Sequence, residues 1–410
     1  MSVLGRLQET PARFLAVLGL PSFALSLAVT TVSGLLPVVI AAQAGPLVAG
    51  ALVAGEGVFA LIVPLVVGPL SDRSGRRLPY LAGAGAVAAA MLVLIGLSGP
   101  LLVVALSVAL FYVAYFTYLT PYYALFPDLV GESARGRSQG SLGTWREVGL
   151  GVGFVGGPAL LALWRPAPFV LAAVVLVAVT PLFGAVVGRR LRAGGDGRRQ
   201  TPPASGRGAV WRLLAEHRAI RWFVAANALW ELALAALRAF VVLFLTVGLG
   251  RSETFASLVL GVVVVAALIA APLAGWLGDR FGQRRVLAGA LWVYGSGLLL
   301  PAISASPYVL PFVFAGALAA VTVMTLPYAL LMDLLPEGDH GSAAGLYGFS
   351  RGLGLLAGPL LAGLAIVTLE PVFASSDGYA AIFPVASLAI LASIPLLRGS
   401  GAIARDGPRA

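Results

Sequence analysis

The sequence predicts an all-α integral membrane protein, with twelve transmembrane helices arranged as two six-helix pseudo-repeats. Three observations predict it: the composition, a series of long apolar runs, and an internal repeat. Of 410 residues, 59% are apolar and 11% are charged. Soluble domains carry about 25% charged residues. A single globular core stops growing near roughly 250–300 residues, so this apolar surplus has no soluble hiding place. Lipid accepts it.

Runs near or above the ~18–20 residues that span a bilayer fall at about 14–42, 47–70, 79–98, 101–127, 138–163, 168–188, 221–247, 254–277, 285–304, 307–334, 342–367 and 379–397. Barrel strands alternate apolar and polar residues, and these runs do not. The first run follows Arg6 and Arg13 and precedes Ala42-Gln43-Ala44, an outline shared with signal peptides. Its extent, 14–42, exceeds the ~7–15 residues of a signal h-region, so it is expected to stay as a span.

Arginine sets the orientation. There is no lysine, and 22 of the 27 Arg residues lie in the termini and loops of one side. The opposite loops hold Arg165 and Arg251. By the positive-inside rule both termini are cytoplasmic, in a bacterial-type inner membrane. The net charge of +10 is therefore a topology signal spread over loops, not a basic face for nucleic acid. Without Lys there is no Walker loop and no Schiff base. Without Cys there is no disulfide, thiolate site or Cys nucleophile. His217 and His340 stand alone in loops, so neither metal nor cofactor is expected. Residues 191–218 are rich in Gly, Pro, Ser and Arg, which reads as a cytoplasmic linker. It separates a six-helix half at 1–190 from another at 219–410.

The halves repeat each other. Gly68-Pro-Leu-Ser-Asp72-Arg73-Ser-Gly75-Arg76-Arg77 returns as Gly275-Trp-Leu-Gly-Asp279-Arg280-Phe-Gly282-Gln-Arg284-Arg285. Pro121-Tyr122 returns as Pro327-Tyr328, Asp128 as Asp333 and Arg146 as Arg351. Six-helix repeats around a midplane site form an alternating-access plan.

The Gly68–Arg77 segment and its echo resemble the loop signature of the major facilitator superfamily. Val63-Pro64 through Tyr80, and Pro121-Tyr122-Tyr123-Ala124-Leu125-Phe126-Pro127-Asp128-Leu129, are similar to sucrose transporters and glycoside–pentoside–hexuronide cation symporters. Helix 4 lacks the R-x-x-Q-G element usual in drug antiporters. Phe59 and Val63 stand where melibiose-type symporters carry acidic cation ligands, which leaves a sodium site of that type without its ligands. The resemblance implies a monomer. It also implies gating carboxylates at Asp72 and Asp279, beside Arg73 and Arg280, with Asp72 meeting the start of helix 11 and Asp279 the start of helix 5.

Ionisable groups inside spans cost roughly 2.5–3.5 kcal/mol on insertion scales, so each is a functional candidate. Glu56, between Gly55 and Gly57, is either a proton-coupling carboxyl or a hydrogen-bonding tie to a neighbouring helix. On helix 7, Asn227, Glu231 and Arg238 fall within ~40° of one another at 100° per residue. They form one polar face flanked by Trp230, suited to a polar substrate or to pairing with other helices. Arg146 and Arg351 each lie 18 residues beyond Asp128 and Asp333. They fit a cytoplasmic gate, and Arg146 also fits a sugar-binding role that the resemblance places on helix 5. Tyr115 and Tyr118, among the tyrosines of helix 4, could stack on a sugar or simply pack.

The expectation is a secondary active transporter of a small polar solute, a saccharide driven by protons or another cation. The alternatives are an exporter of drugs or metabolites and, in another class, a membrane enzyme or receptor. No nucleophile–base motif favours an enzyme.

Overall fold

A computed structural model describes residues 12–97, 99–130, 135–193, 209–303, 310–325, 327–335 and 343–399, and every regular element among them is helical. Among the described residues ten helices are long and apolar enough to cross a membrane, and two shorter apolar helices stand at the remaining two expected places. In chain order the spans are α1 (Arg13–Ile40), α2 (Gln43–Ser74), α3 (Arg77–Leu97) and α4 (Leu101–Ala124). They continue with α5 (Ser141–Leu163), α6 (Ala167–Leu191), α7 (Arg218–Gly248) and α8 (Glu253–Phe281). The last four are α9 (Arg285–Ile303), α10 (Leu310–Thr325 and Pro327–Leu334), α11 (Gly345–Thr368) and α12 (Tyr379–Gly399).

The chemistry of the ends explains where spans stop. In the first turn of α2, Gly45 takes φ 65, a left-handed conformation that glycine reaches without strain. The motif glycines Gly75 and Gly282 share that region, at φ 62 and 88. The repeated loop signature thus carries a positive-φ glycine in both copies. Ser252 caps α8 by accepting a hydrogen bond from the Phe255 amide at 3.2 Å, which satisfies a free N–H of the first turn.

The chain divides into two compact units, Met1–Gln43 with Phe59–Thr201, and Ala44–Val58 with Pro202–Ala410. The first half of α2 belongs with the second unit. Within residues 191–218 the segment Ala209–Glu216 forms a helix. It buries Leu213, sets Trp211 edge-on against Phe349 at 5.3 Å, and receives hydrogen bonds from Arg221 on its last carbonyls.

Burial ranks the helices within the units. The most apolar stretch of α1 is 89% buried and that of α7 is 72% buried, against 28% for α6 and for α9. A span whose every face is covered can carry polar groups away from lipid, so α1 and α7 are where polar chemistry can sit.

Candidate functional site

The site is built on α7. Its polar face is buried, with Asn227 1%, Glu231 5% and Arg238 7% exposed. Each of the three reaches a different partner.

Glycine brings the first partner in. A Cβ at Gly50 would collide with the carbonyl of Pro359, and one at Gly57 with the backbone of Gly352 and Leu356. Residues 44–58 of α2 can therefore lie directly on α11, as small-residue interfaces allow. Glu56, beside Gly57, is thereby carried to α7. Arg238 Nη2 donates to Glu56 Oε2 at 2.6 Å, with the two side chains 7% and 3% exposed. Arg238 Nε has no protein partner. Two charges that would each be costly alone form one neutral pair.

The second cluster lies along α7 on the side of α11. Arg351 Nε stands 3.7 Å from Glu231 Oε2, and the Tyr347 hydroxyl donates to Glu231 Oε1 at 3.4 Å. Asn227 donates to Ser350 Oγ at 2.7 Å, and Ser350 donates to the Tyr347 carbonyl at 2.9 Å. The Arg351 side chain is 41% exposed, so this pair is loose and wet where Glu56–Arg238 is tight and dry. Tyr347, Ser350 and Arg351 are spaced i, i+3 and i+4, one helical face. That spacing is the signal that could have found Tyr347 and Ser350.

The structure does not gather every expected residue here. Trp230 is fully buried but turns to α12, where its indole N–H donates to Ser393 at 2.6 Å. Tyr118 is fully buried against α6, and Thr180 donates to its hydroxyl at 3.4 Å. Tyr115 packs edge-on against Phe116 at 4.9 Å. Arg146 pairs with its neighbour Glu147 at 2.9 Å, both about half exposed. Asp72 is met by Arg77 at 3.2 Å, while Arg77 also donates to the Ala124 carbonyl at the end of α4. Arg73 is exposed, and Arg280 is exposed with its guanidinium over Trp276. The side chains of Asp128, Asp279 and Asp333 lie outside the described residues. Among the described residues no cluster of His, Cys, Asp or Glu has metal-site geometry.

Known proteins share this architecture. The family model described as Major Facilitator Superfamily matches residues 18–248 and 232–400. An uncharacterized MFS-type transporter of Mycobacterium tuberculosis is 32% identical over 114 residues, 28% of this chain and 16% of that protein. Another from Schizosaccharomyces pombe is 30% identical over 149 residues, 36% of this chain and 31% of that protein. The chain thus aligns with less than a third of each relative's length. A bacterial homolog of the human lysosomal transporter Spinster superposes with a TM-score of 0.78 at 14% identity, covering 97% of this chain and 98% of that one. The nucleoside transporter NupG does so at 0.76, also 14% identical, covering 94% and 98%. These likenesses are of fold.

Proposed function

The chain belongs to the Major Facilitator Superfamily and is an integral membrane transporter; from that premise we propose that it is a proton-coupled symporter of a small polar solute, a saccharide, with Glu56 as its coupling carboxyl. The observation that carries the reading is the Glu56–Arg238 pair, dry and 2.6 Å apart. Protonating Glu56 dissolves its ion pair and leaves Arg238 with five N–H donors and no anion. A solute rich in oxygen acceptors can then satisfy the guanidinium, so proton and solute are held together or not at all. The wetter cluster of Glu231, Arg351 and Asn227 along the same helix face supplies a second set of polar contacts, and a sugar's hydroxyls suit both. The saccharide class rests on the resemblance of Val63–Tyr80 and Pro121–Leu129 to sugar symporters. Both termini are assigned to the cytoplasm by the arginine count, and the carrier works as a monomer.

The test uses the purified chain in liposomes loaded with a pH-sensitive dye. Adding mono- and disaccharides outside should give saturable internal acidification with one of them, and Glu56→Gln should abolish it. Silence across the panel from folded protein removes the sugar reading. Acidification that survives Glu56→Gln removes Glu56 from the coupling role.

A further inference from the structure

The helix Ala209–Glu216 has 8 residues, and isolated helices shorter than ~12–15 residues are marginal in water. Contacts outside it must hold it. Leu213 is fully buried, and each end of the helix is tied to a different span. At the N-terminal end, Trp211 stands edge-on to Phe349 of α11, with ring centroids 5.3 Å apart. Beside it Val210 packs on Gly345 of α11, where a Cβ would come within 3.1 Å of a Val210 methyl. At the C-terminal end, Arg221 of α7 donates from Nη1 to the Leu214 carbonyl at 3.0 Å and to the Ala215 carbonyl at 2.7 Å. The last carbonyls of a helix have no partner inside it, and a cation is favoured there. His217 takes extended backbone, φ −112 and ψ 103, so the chain turns before α7 begins. The short helix therefore reaches from the start of α7 to the start of α11.

The part of α11 that it holds is the part that carries the polar face. Tyr347, Ser350 and Arg351 face Asn227 and Glu231 of α7. At 100° per residue, Gly345 and Phe349 fall about half a turn away from those three. The same stretch of α11 is thus gripped from opposite sides. The grip on the polar side is loose in two of its three contacts. Arg351 Nε stands 3.7 Å from Glu231 and the Tyr347 hydroxyl 3.4 Å, both beyond the ~2.7–3.2 Å of well-made hydrogen bonds. Contacts of that length do not by themselves fix how one helix sits on another.

We propose that the helix Ala209–Glu216 is a brace that sets the register of the Tyr347–Arg351 face on α7, with Trp211 and Arg221 as its positioning residues. The consequence for transport rests on the reading of that face as a solute site: the brace keeps its polar groups where a solute meets them. The register itself does not depend on what the solute is.

The sequence has no cysteine, so two introduced thiols report on one contact alone. Asn227→Cys with Ser350→Cys replaces a pair whose side chains meet at 2.7 Å. Disulfide closure needs Cβ atoms about 3.5–4.5 Å apart, so its rate falls when α11 shifts on α7. The rate is measured with copper phenanthroline on the purified full chain, without any solute, and thermal unfolding is followed alongside. In this background Trp211→Ala and Arg221→Gln should each slow the cross-link at least tenfold at an unchanged melting temperature. Trp211→Phe, which keeps a ring against Phe349, should restore the rate. Trp292→Ala on α9, a tryptophan that is 54% exposed, should leave it as it was. An unchanged rate in either Trp211→Ala or Arg221→Gln overturns the proposal, and so does a loss that follows the melting temperature or appears equally in Trp292→Ala. A silent saccharide panel removes the sugar reading and leaves the cross-linking result standing.

Discussion

Helix α5 crosses α1 in the way that α11 crosses α7, contact for contact. Gly149 rests on the Phe23 carbonyl and Ser26, and 205 residues later Gly354 rests on the Ala228 carbonyl and Glu231. Gly153 meets Leu27 and Thr30, while Gly358 meets Leu232 and Ala235 at the same offset. The inner helices differ in what they carry at matching positions. Ser22, Ser26 and Ser33 of α1 are replaced on α7 by Asn227, Glu231 and Arg238, and all six are buried. Ser33 needs only the Val29 carbonyl of its own helix as a partner. The first crossing shows that this packing forms with neutral residues at these positions of the inner helix. The charges of the second are therefore not a condition of the crossing. They meet Glu56, Tyr347 and Arg351, and they mark where the two halves diverge in chemistry.

The likeness of the two crossings, and their difference in charge, are open to mutation. The largest effect is expected at the dry pair. Glu56→Gln or Arg238→Gln alone leaves one buried charge without its partner, at about 3–5 kcal/mol. The double variant removes both charges and should recover most of that loss in thermal unfolding while still failing to accumulate solute. A double variant no more stable than either single one would show that the pair is not a unit. Next come the crossings: Gly149→Leu and Gly354→Leu each force a side chain into backbone, and overpacking costs about 1–3 kcal/mol. Similar losses support one shared construction, whereas a large inequality breaks it. Glu231→Ser gives α7 the residue type that α1 has at that register. Its partner Arg351 stays partly solvated, so stability should change by about 1 kcal/mol or less, while solute binding measured by calorimetry falls at least tenfold. The smallest effect is expected from Asp72→Asn, which removes a half-exposed contact with Arg77 worth about 0.2–1 kcal/mol.

The span pattern was legible because bilayer thickness writes itself into sequence as apolar length, and the repeat was legible because the turn at Gly75 and Gly282 needs the same residue twice. The burial of Asn227, Glu231 and Arg238 on one face followed from helical periodicity. Their partners did not. Glu56 lies 182 residues from Arg238, and no local period connects them; only the glycines at 50 and 57, read as a docking edge, could have hinted at it. Trp230 shows the opposite failure. It neighbours Glu231 in sequence, but one residue is 100° of helix, and that turn points it at Ser393 of α12. The helix at Ala209–Glu216 was hidden by the Gly, Pro and Arg content around it, although Val210, Leu213 and Leu214 recur at the i, i+3, i+4 spacing of an amphipathic helix, with Leu213 buried.

One property of the dry pair reaches beyond binding. An arginine keeps its proton at any pH a protein meets, so Glu56 and Arg238 together carry either no net charge or one positive charge, never a negative one. A neutral element crosses an electric field without work. A singly charged one gains or loses roughly 2.3 kcal/mol per 100 mV over the full membrane drop. With Glu56 as the coupling carboxyl, the protonated, solute-bound form feels the resting voltage of the cell and the empty form does not. An inside-negative voltage then draws the loaded carrier inward, and the solute would be concentrated by electrical potential even where the two sides stand at the same pH.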